Sequence, residues 1–148
     1  MRLTIIALLL VTTFSSAAEK TYQPKDGDVI FQGAAGDPLG ELIKGLSKSA
    51  IAHCGLIYQK GGKWQVLEAN GANVHETALA DFQKAEGGQY QVKRLKDKDK
   101  AKIAAFIKSA QTYLGRPYDL KFTMDDEHLY CSEVLYKAYQ SAYQKELA

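Results

Sequence analysis

The stretch IAHCGLIYQKGGKWQVLEA, residues 51–69, contains two short apolar segments joined by the glycine pair Gly61-Gly62. Paired glycines between segments rich in aliphatic and aromatic residues are typical of a tight β-hairpin. Because side chains alternate along a strand, His53 and Cys54 point to opposite faces. His53 and Glu68 both lie at the hairpin end distant from the turn, so the pattern predicts that they are neighbours on one face.

Further strands and helices are predicted on both sides of this hairpin. In chain order, the predicted strands are at residues 28–32, 51–59, 64–69 and 89–95, with a short extended piece around Val74. The predicted helices are at residues 38–46, 78–84, 97–114 and 130–145. The third helix has the clearest apolar stripe, and Gly115 and Pro117 end it. Strands dominate the first half of the chain and long helices the second, which predicts an α+β fold.

The composition is that of an ordinary folded domain. The chain has 148 residues, for which one domain is the default expectation. Hydrophobic residues make up 46% and charged residues 24%, which argues against a disordered chain. With 19 basic and 17 acidic residues the net charge is +2, so nothing indicates nucleic-acid binding.

The first 18 residues have the pattern of a secretory signal peptide. Arg2 supplies the positive charge, residues 3–11 are mostly apolar, and Ser16-Ala17-Ala18 offers small residues for cleavage. The alternative is an uncleaved anchor, although the apolar stretch is short for a membrane span. We expect residues 19–148 to form one exported domain, periplasmic or extracellular, without a membrane span after signal removal.

Three residues could together form a nucleophilic site. Cys131 begins the last predicted helix, three residues before Val134, so its side chain should face inward at the helix N-terminus. The helix dipole there favours the thiolate, the nucleophilic form of cysteine. His53 could act as its base and Glu68 could orient the imidazole, which is the logic of a cysteine hydrolase. Taken singly, each residue also suits a structural role: a buried thiol, a hydrogen-bonded strand histidine and a solvated glutamate.

Several segments are similar to those of a known enzyme family. They are GDVIF (27–31), AHCGLI (52–57), VLEA (66–69) with Val74, YLGRPYD (113–119) and YCSEV (130–134). In this order and spacing they resemble the permuted papain-like cysteine hydrolases, the YiiX/YebB-type branch of the NlpC/P60 superfamily.

The resemblance implies a circularly permuted papain-like fold, in which a small antiparallel barrel-like sheet packs with helices and the nucleophile helix is C-terminal. It implies Cys131 as nucleophile, His53 as base and Glu68 as the third member, with Tyr118 and Ser132 at the substrate pocket. Relatives act on amide bonds of cell-wall peptides, and we expect Cys131 to cleave such bonds by forming a thioester. A related branch, similar to lecithin retinol acyltransferase, acts on lipid acyl groups. The substrate is therefore expected to be a peptide or acyl compound derived from the cell wall.

Two features depart from the family pattern and leave alternatives open. The chain is short, so we expect no further substrate-selecting domain. Cys54 follows the histidine, where such strands often have an apolar or small residue. Strand alternation turns Cys54 away from the His53 face, which predicts a buried and inert thiol. A Cys54–Cys131 disulfide would instead favour a non-catalytic exported binding module, and an apolar groove would favour a lipid-directed acyltransferase or esterase.

No metal or other cofactor is predicted. His128 lies three residues before Cys131, and His75 could be recruited, but the spacing matches no zinc motif and zinc needs three or four ligands. Both histidines are expected to be surface residues. Nothing in the sequence indicates an oligomeric state.

Overall fold

The computed structural model describes residues 22–33, 38–96 and 99–145. The predicted signal peptide, residues 1–18, lies outside these residues, as does the predicted start of the third helix at residue 97. Within the described residues, no helix combines the length and the apolar character needed to cross a membrane.

Five strands, four α-helices and one short 3-10 turn make up the described part of the chain. They are β1 (Asp28–Gln32), α1 (Pro38–Ser47), β2 (His53–Lys60), β3 (Lys63–Asn70), β4 (Asn73–Ala78), α2 (Leu79–Lys84), a 3-10 turn (Glu86–Gly88), β5 (Tyr90–Lys93), α3 (Lys100–Gln111) and α4 (Cys131–Tyr143).

The strands form one antiparallel sheet in the order β4-β3-β2-β1-β5. The predicted hairpin is its centre: β2 and β3 are joined at Gly61 and Gly62, both with positive φ of 57° and 78°. Positive φ at both central residues is the signature of a type I′ turn, which glycine adopts without strain. The turn therefore fixes the pairing of Gly55 with Glu68.

The two faces of the sheet bury separate apolar clusters. The larger cluster lies between the sheet and helices α3 and α4, and it contains buried Leu56, Leu67, Phe106, Val134 and Ala138 among others. The smaller cluster lies on the opposite face, toward α2, and consists of Ile30, Ile57, Val66, Leu79 and Phe82. Strand alternation accounts for this division, because Leu56 and Ile57 are adjacent in β2 and belong to different clusters.

The structure differs from the sequence prediction in two elements. Residues around Val74 were expected to form only a short extended piece, yet β4 is a full strand of six residues. Helix α3 ends at Gln111, and turns replace its predicted last three residues. The reason is tertiary: Gly115 N donates to Val74 O at 2.9 Å and Val74 N donates to Arg116 O at 2.8 Å, which ties this segment to β4.

Candidate active site

Cys131 is the first residue of α4, as the sequence predicts. Two hydrogen bonds fix the first turn of α4. Tyr130 N donates to Glu133 Oε2 at 3.4 Å, and Val134 N donates to Tyr130 O at 3.2 Å. Lys137 Nζ lies 2.9 Å from Glu133 Oε1 and balances that buried carboxylate. The Cys131 side chain therefore occupies a fixed position at the positive end of the helix dipole.

His53 and Glu68 lie on the same face of the central hairpin. His53 Nε2 is 2.5 Å from Glu68 Oε2, and the contact runs diagonally, because Glu68 is paired with Gly55. Gly55 is required there: a Cβ at this position would lie 2.3 Å from Val66 Cγ1 and 3.1 Å from Leu67 O. The missing side chain lets β3 approach closely enough for Glu68 to reach the imidazole.

Three further side chains, which the sequence did not place at this site, contact Glu68 or His53. Thr77 Oγ1 donates to Glu68 Oε1 at 2.5 Å, and His75 Nε2 lies 3.8 Å from the same oxygen. Phe82 stacks on the His53 ring with a centroid distance of 5.6 Å. Recognition of β4 as a full strand would have predicted the first two, since alternation in β4 places His75 and Thr77 on the face of Glu68.

The Cys131 sulfur lies close enough to the His53 ring for each group to shift the pKa of the other. Because Nε2 of His53 is bonded to Glu68, Nδ1 is the ring nitrogen available to the sulfur. Cys131, His53 and Glu68 are therefore neighbours in the order in which a nucleophile, a base and an orienting carboxylate act.

The electrostatic interactions among these three side chains favour a protonated His53 beside an ionised Glu68. Burial alone would lower the pKa of His53, but hydrogen bonds with Cys131 and Glu68 outweigh it and raise the pKa to about 9. Burial would likewise raise the pKa of Glu68, and the hydrogen bonds from His53 and Thr77 outweigh it and lower that pKa. At neutral pH the imidazole is therefore protonated and the carboxylate is ionised.

The pKa of Cys131 is held well below its usual value. The largest cause is a hydrogen bond from the Cys54 thiol, which acts against the desolvation of the buried sulfur. Contact with His53 and a hydrogen bond from the backbone of Cys54 lower the pKa further. The pKa of Cys54 is raised, first by its hydrogen bond with Cys131 and then by burial. Cys131 is therefore the thiolate of the two and Cys54 the neutral thiol.

Cys54 is buried as predicted, and its raised pKa is that of a neutral thiol, but the residue has a neighbour that the sequence did not predict. Strand alternation does turn Cys54 to the face opposite His53, and the residue is buried. However, α4 packs across that face and begins beside the start of β2, so Cys131 reaches both neighbours. Strand alternation describes only the sheet, and it could not show where the helix would place its first residue. Both cysteines are free thiols in the structure.

A cavity of about 570 Å³ opens beside His53 and Glu68. Helix α1 contributes Leu39 and Ile43 to the wall of the cavity, and a polar part of the wall is formed by Asn70, His75, Thr77 and Asp81. Tyr118, which the resemblance places at the substrate pocket, lines this cavity. Ser132 is exposed on the first turn of α4, and it is not among the described residues that line this cavity.

The histidines expected at the surface have different positions. His128 is exposed and lies 3.9 Å from Asp125 Oδ1. His75 has 42% of its side chain exposed, as expected of a surface residue, and it also lines the cavity 3.8 Å from Glu68 Oε1. Over residues 22–33, 38–96 and 99–145, no group of three or more His, Cys, Asp or Glu side chains is arranged to hold a metal ion.

A helix that presents a cysteine at its N-terminus to a histidine and a carboxylate on an antiparallel sheet is the arrangement of papain-like proteins, and here the helix follows the sheet in the chain. The chain belongs to the family of permuted papain-like amidase enzymes, the YaeF/YiiX, C92 family, which it matches over residues 23–147. This confirms the predicted fold class and the predicted family resemblance.

Two relatives from Escherichia coli illustrate the similarity. The chain is 31% identical to the uncharacterized protein YiiX of strain K12 over 139 residues, which cover 91% of this chain and 67% of YiiX. It also resembles the crystal structure of the metalloprotein YiiX from O157:H7, with a TM-score of 0.78 and 32% identity, over 84% of this chain and 69% of that one.

Proposed function

We propose that this protein is an exported cysteine hydrolase that cleaves amide bonds in cell-wall peptides through a thioester intermediate. The observation that supports it most directly is the arrangement of Cys131 beside His53, with His53 bonded to Glu68. Membership of an amidase family supports the reaction class. Export rests on the signal-peptide pattern of residues 1–18.

The reaction uses the charged pair in two steps. The Cys131 thiolate attacks the amide carbonyl, and the backbone N–H of Cys131, which has no acceptor within its helix, donates to the developing oxyanion. One such donor is worth about 3 kcal/mol of transition-state stabilisation. The His53 imidazolium gives its proton to the leaving amine, and the neutral imidazole then activates the water that hydrolyses the thioester. Glu68 acts through His53 by holding the ring orientation and stabilising its charge.

No step is assigned to a metal ion. YiiX from O157:H7 is described as a metalloprotein. In the described residues of the present chain, the donors nearest the cavity, His53 and Glu68, are bonded to each other, and they form no three-ligand group with their neighbours. The proposed hydrolysis therefore uses only side chains and backbone groups of the protein.

A second candidate substrate class is a lipid acyl compound. Helix α1 supports it: Leu39 and Ile43 face the cavity, while Leu42 and Leu46 of the same helix are exposed to solvent. An apolar wall that continues into exposed leucines suits an acyl chain. The polar wall of Asn70 and Asp81 suits the amide and carboxylate groups of a peptide, and we take it together with the family as favouring the amide.

The test is to offer peptidoglycan fragments and lipid esters side by side to the purified protein, with mass-spectrometric detection of products. We expect peptide cleavage that disappears in Cys131→Ala and persists in Ser141→Ala, an exposed position on the same helix. Cleavage that persists in Cys131→Ala would remove the nucleophile assignment. Release of acyl groups from lipid alone, with transfer to an acceptor in preference to water, would support the acyltransferase instead.

A further inference from the structure

Cys54 is a buried thiol that the proposed mechanism does not use as a reacting group. It is the second residue of β2, with 5% of its surface exposed, and Cys131 at the start of α4 is 8% exposed. Both are free thiols that belong to the same buried cluster between the sheet and the helix. Helix α4 packs against β2, and each of the two thiols shifts the pKa of the other, so the second sulfur lies near enough to attack an oxidised Cys131.

We propose that Cys54 is a resolving cysteine, and that oxidation of Cys131 by a hydroperoxide ends in a reversible Cys54–Cys131 disulfide. The proposal rests on the proposed function in one respect, which is that the residue blocked by the disulfide is the nucleophile. A thiolate with a second thiol beside it is the arrangement in which sulfenic acid is converted to a disulfide before further oxidation.

The first step oxidises Cys131. Its thiolate attacks one oxygen of the hydroperoxide, an S–O bond forms and the O–O bond breaks. The leaving hydroxide or alkoxide takes the proton of the His53 imidazolium, which gives water or an alcohol. Sulfur is oxidised by two electrons and the peroxide is reduced by two.

The second step forms the disulfide. The Cys54 sulfur attacks Sγ of the Cys131 sulfenic acid, the S–O bond breaks and the S–S bond forms. The hydroxide that leaves takes the Cys54 proton and departs as water. Altogether two thiols and one hydroperoxide give a disulfide, one water and one water or alcohol. An external dithiol supplies the two electrons and two protons that reverse the change.

The first step also prepares Cys54 for the second. The largest cause of the raised pKa of Cys54 is its hydrogen bond with Cys131, and the second cause is burial. Conversion of the Cys131 thiolate to a neutral sulfenic acid removes the negative charge beside Cys54. The Cys54 thiol therefore becomes easier to ionise at the moment at which its attack is needed.

The experiment treats the purified protein with hydrogen peroxide and follows free thiols, intact mass and peptide maps. We expect the two free thiols to be lost together, the mass to fall by two hydrogen atoms, and one peptide to link Cys54 with Cys131. Dithiothreitol should restore both thiols and alkylation of Cys131. In Cys54→Ala, Cys131 should gain two oxygen atoms as sulfinic acid, which dithiothreitol does not reverse.

A second variant keeps the test decisive if Cys54→Ala does not fold. In Cys131→Ala, Cys54 should remain a free thiol under the same peroxide treatment, because the reactive thiolate is missing. Wild-type protein with sulfinic acid at Cys131 and an intact Cys54 thiol would overturn the proposal, as would a disulfide formed only between molecules. Since these measurements need no substrate, disulfide formation in a protein without hydrolase activity would overturn the proposed function and leave this inference intact.

Discussion

The two faces of the sheet are packed for different purposes. The face toward α3 and α4 is covered by a continuous apolar cluster that includes Leu56 and Val134. The opposite face has a smaller cluster around Phe82, and it buries the carboxylate of Glu68 beside an open cavity. Cys131 belongs to the first face by its packing and to the second by its contact with His53. The apolar face therefore stabilises the fold and positions the nucleophile, and the polar face contains the groups that accept and donate protons in the proposed reaction.

The largest expected effect is on activity and comes from the cavity face. His53→Ala removes the base and the acid of the proposed reaction, so hydrolysis should fall by about 10²- to 10⁴-fold. The substitution also leaves the buried Glu68 carboxylate without its partner and removes the stack on Phe82, so activity is compared in protein that urea denaturation shows to be folded. His128→Ala, at an exposed histidine, is the matched control and should retain full activity. Equal activity of the two variants would refute the role of His53.

The next effect is on stability and comes from the helix face. Leu56→Ala leaves a void at a fully buried position and should lower the free energy of unfolding by about 2–5 kcal/mol. Leu46→Ala is the matched control: Leu46 is 75% exposed and its removal should cost less than about 0.5 kcal/mol. Both values can be read from urea denaturation. Leu56→Ala protein that remains folded should still hydrolyse substrate, whereas a loss of activity without a loss of stability would contradict the division between the faces.

The third prediction concerns Gly55, the glycine that allows β3 to approach β2 closely. Gly55→Ala places a Cβ against Val66 and the backbone of Leu67, and we expect a loss of about 1–3 kcal/mol in the free energy of unfolding. It should also slow hydrolysis, because any shift of β3 moves Glu68 away from His53. The control Gly45→Ala introduces a Cβ into open space on α1 and should stabilise the protein by about 0.5–1 kcal/mol.

The clash with Val66 can be tested separately from the general effect of an added methyl group. Val66→Ala in the Gly55→Ala background removes the closest atom and should recover part of the lost activity. A Gly55→Ala protein with wild-type stability and activity would show that the close approach of β3 is not needed.

The sequence predicted the part of this architecture that depends on local patterns. The strands β1, β2 and β3, the glycine turn and the start of α4 follow from alternation, turn chemistry and apolar spacing, and the structure agrees with them. The contact between Cys54 and Cys131 could not be predicted in this way, because it depends on where α4 crosses β2. The same reason explains why the roles of Thr77 and the end of α3 were missed: both depend on pairing with β4, which has a weak strand pattern.

The last prediction distinguishes the thiolate from the imidazolium by pH. Hydrolysis needs the proton of His53, so its rate should fall as the pH rises through the His53 pKa of about 9. Alkylation of Cys131 by iodoacetamide needs only the thiolate, which is lost at low pH and retained above pH 9, so this rate should not fall there. The rate of hydrolysis therefore reports the protonation of His53, and the rate of alkylation reports the ionisation of Cys131.

Glu68→Gln should shift the pH dependence of hydrolysis and leave the pH dependence of Cys131 alkylation above pH 9 unchanged. The carboxylate raises the pKa of His53, so its removal lowers that pKa, and the alkaline fall in hydrolysis should shift to lower pH. His75 is the neighbouring titratable group, 3.8 Å from Glu68, and the parallel variant His75→Gln excludes it as the source of the shift. Alkylation of Cys131 well above pH 9 should be the same in both variants and in the wild type. If Glu68→Gln left the alkaline fall in hydrolysis where it is in the wild type, Glu68 would not be the residue that holds His53 in its charged form.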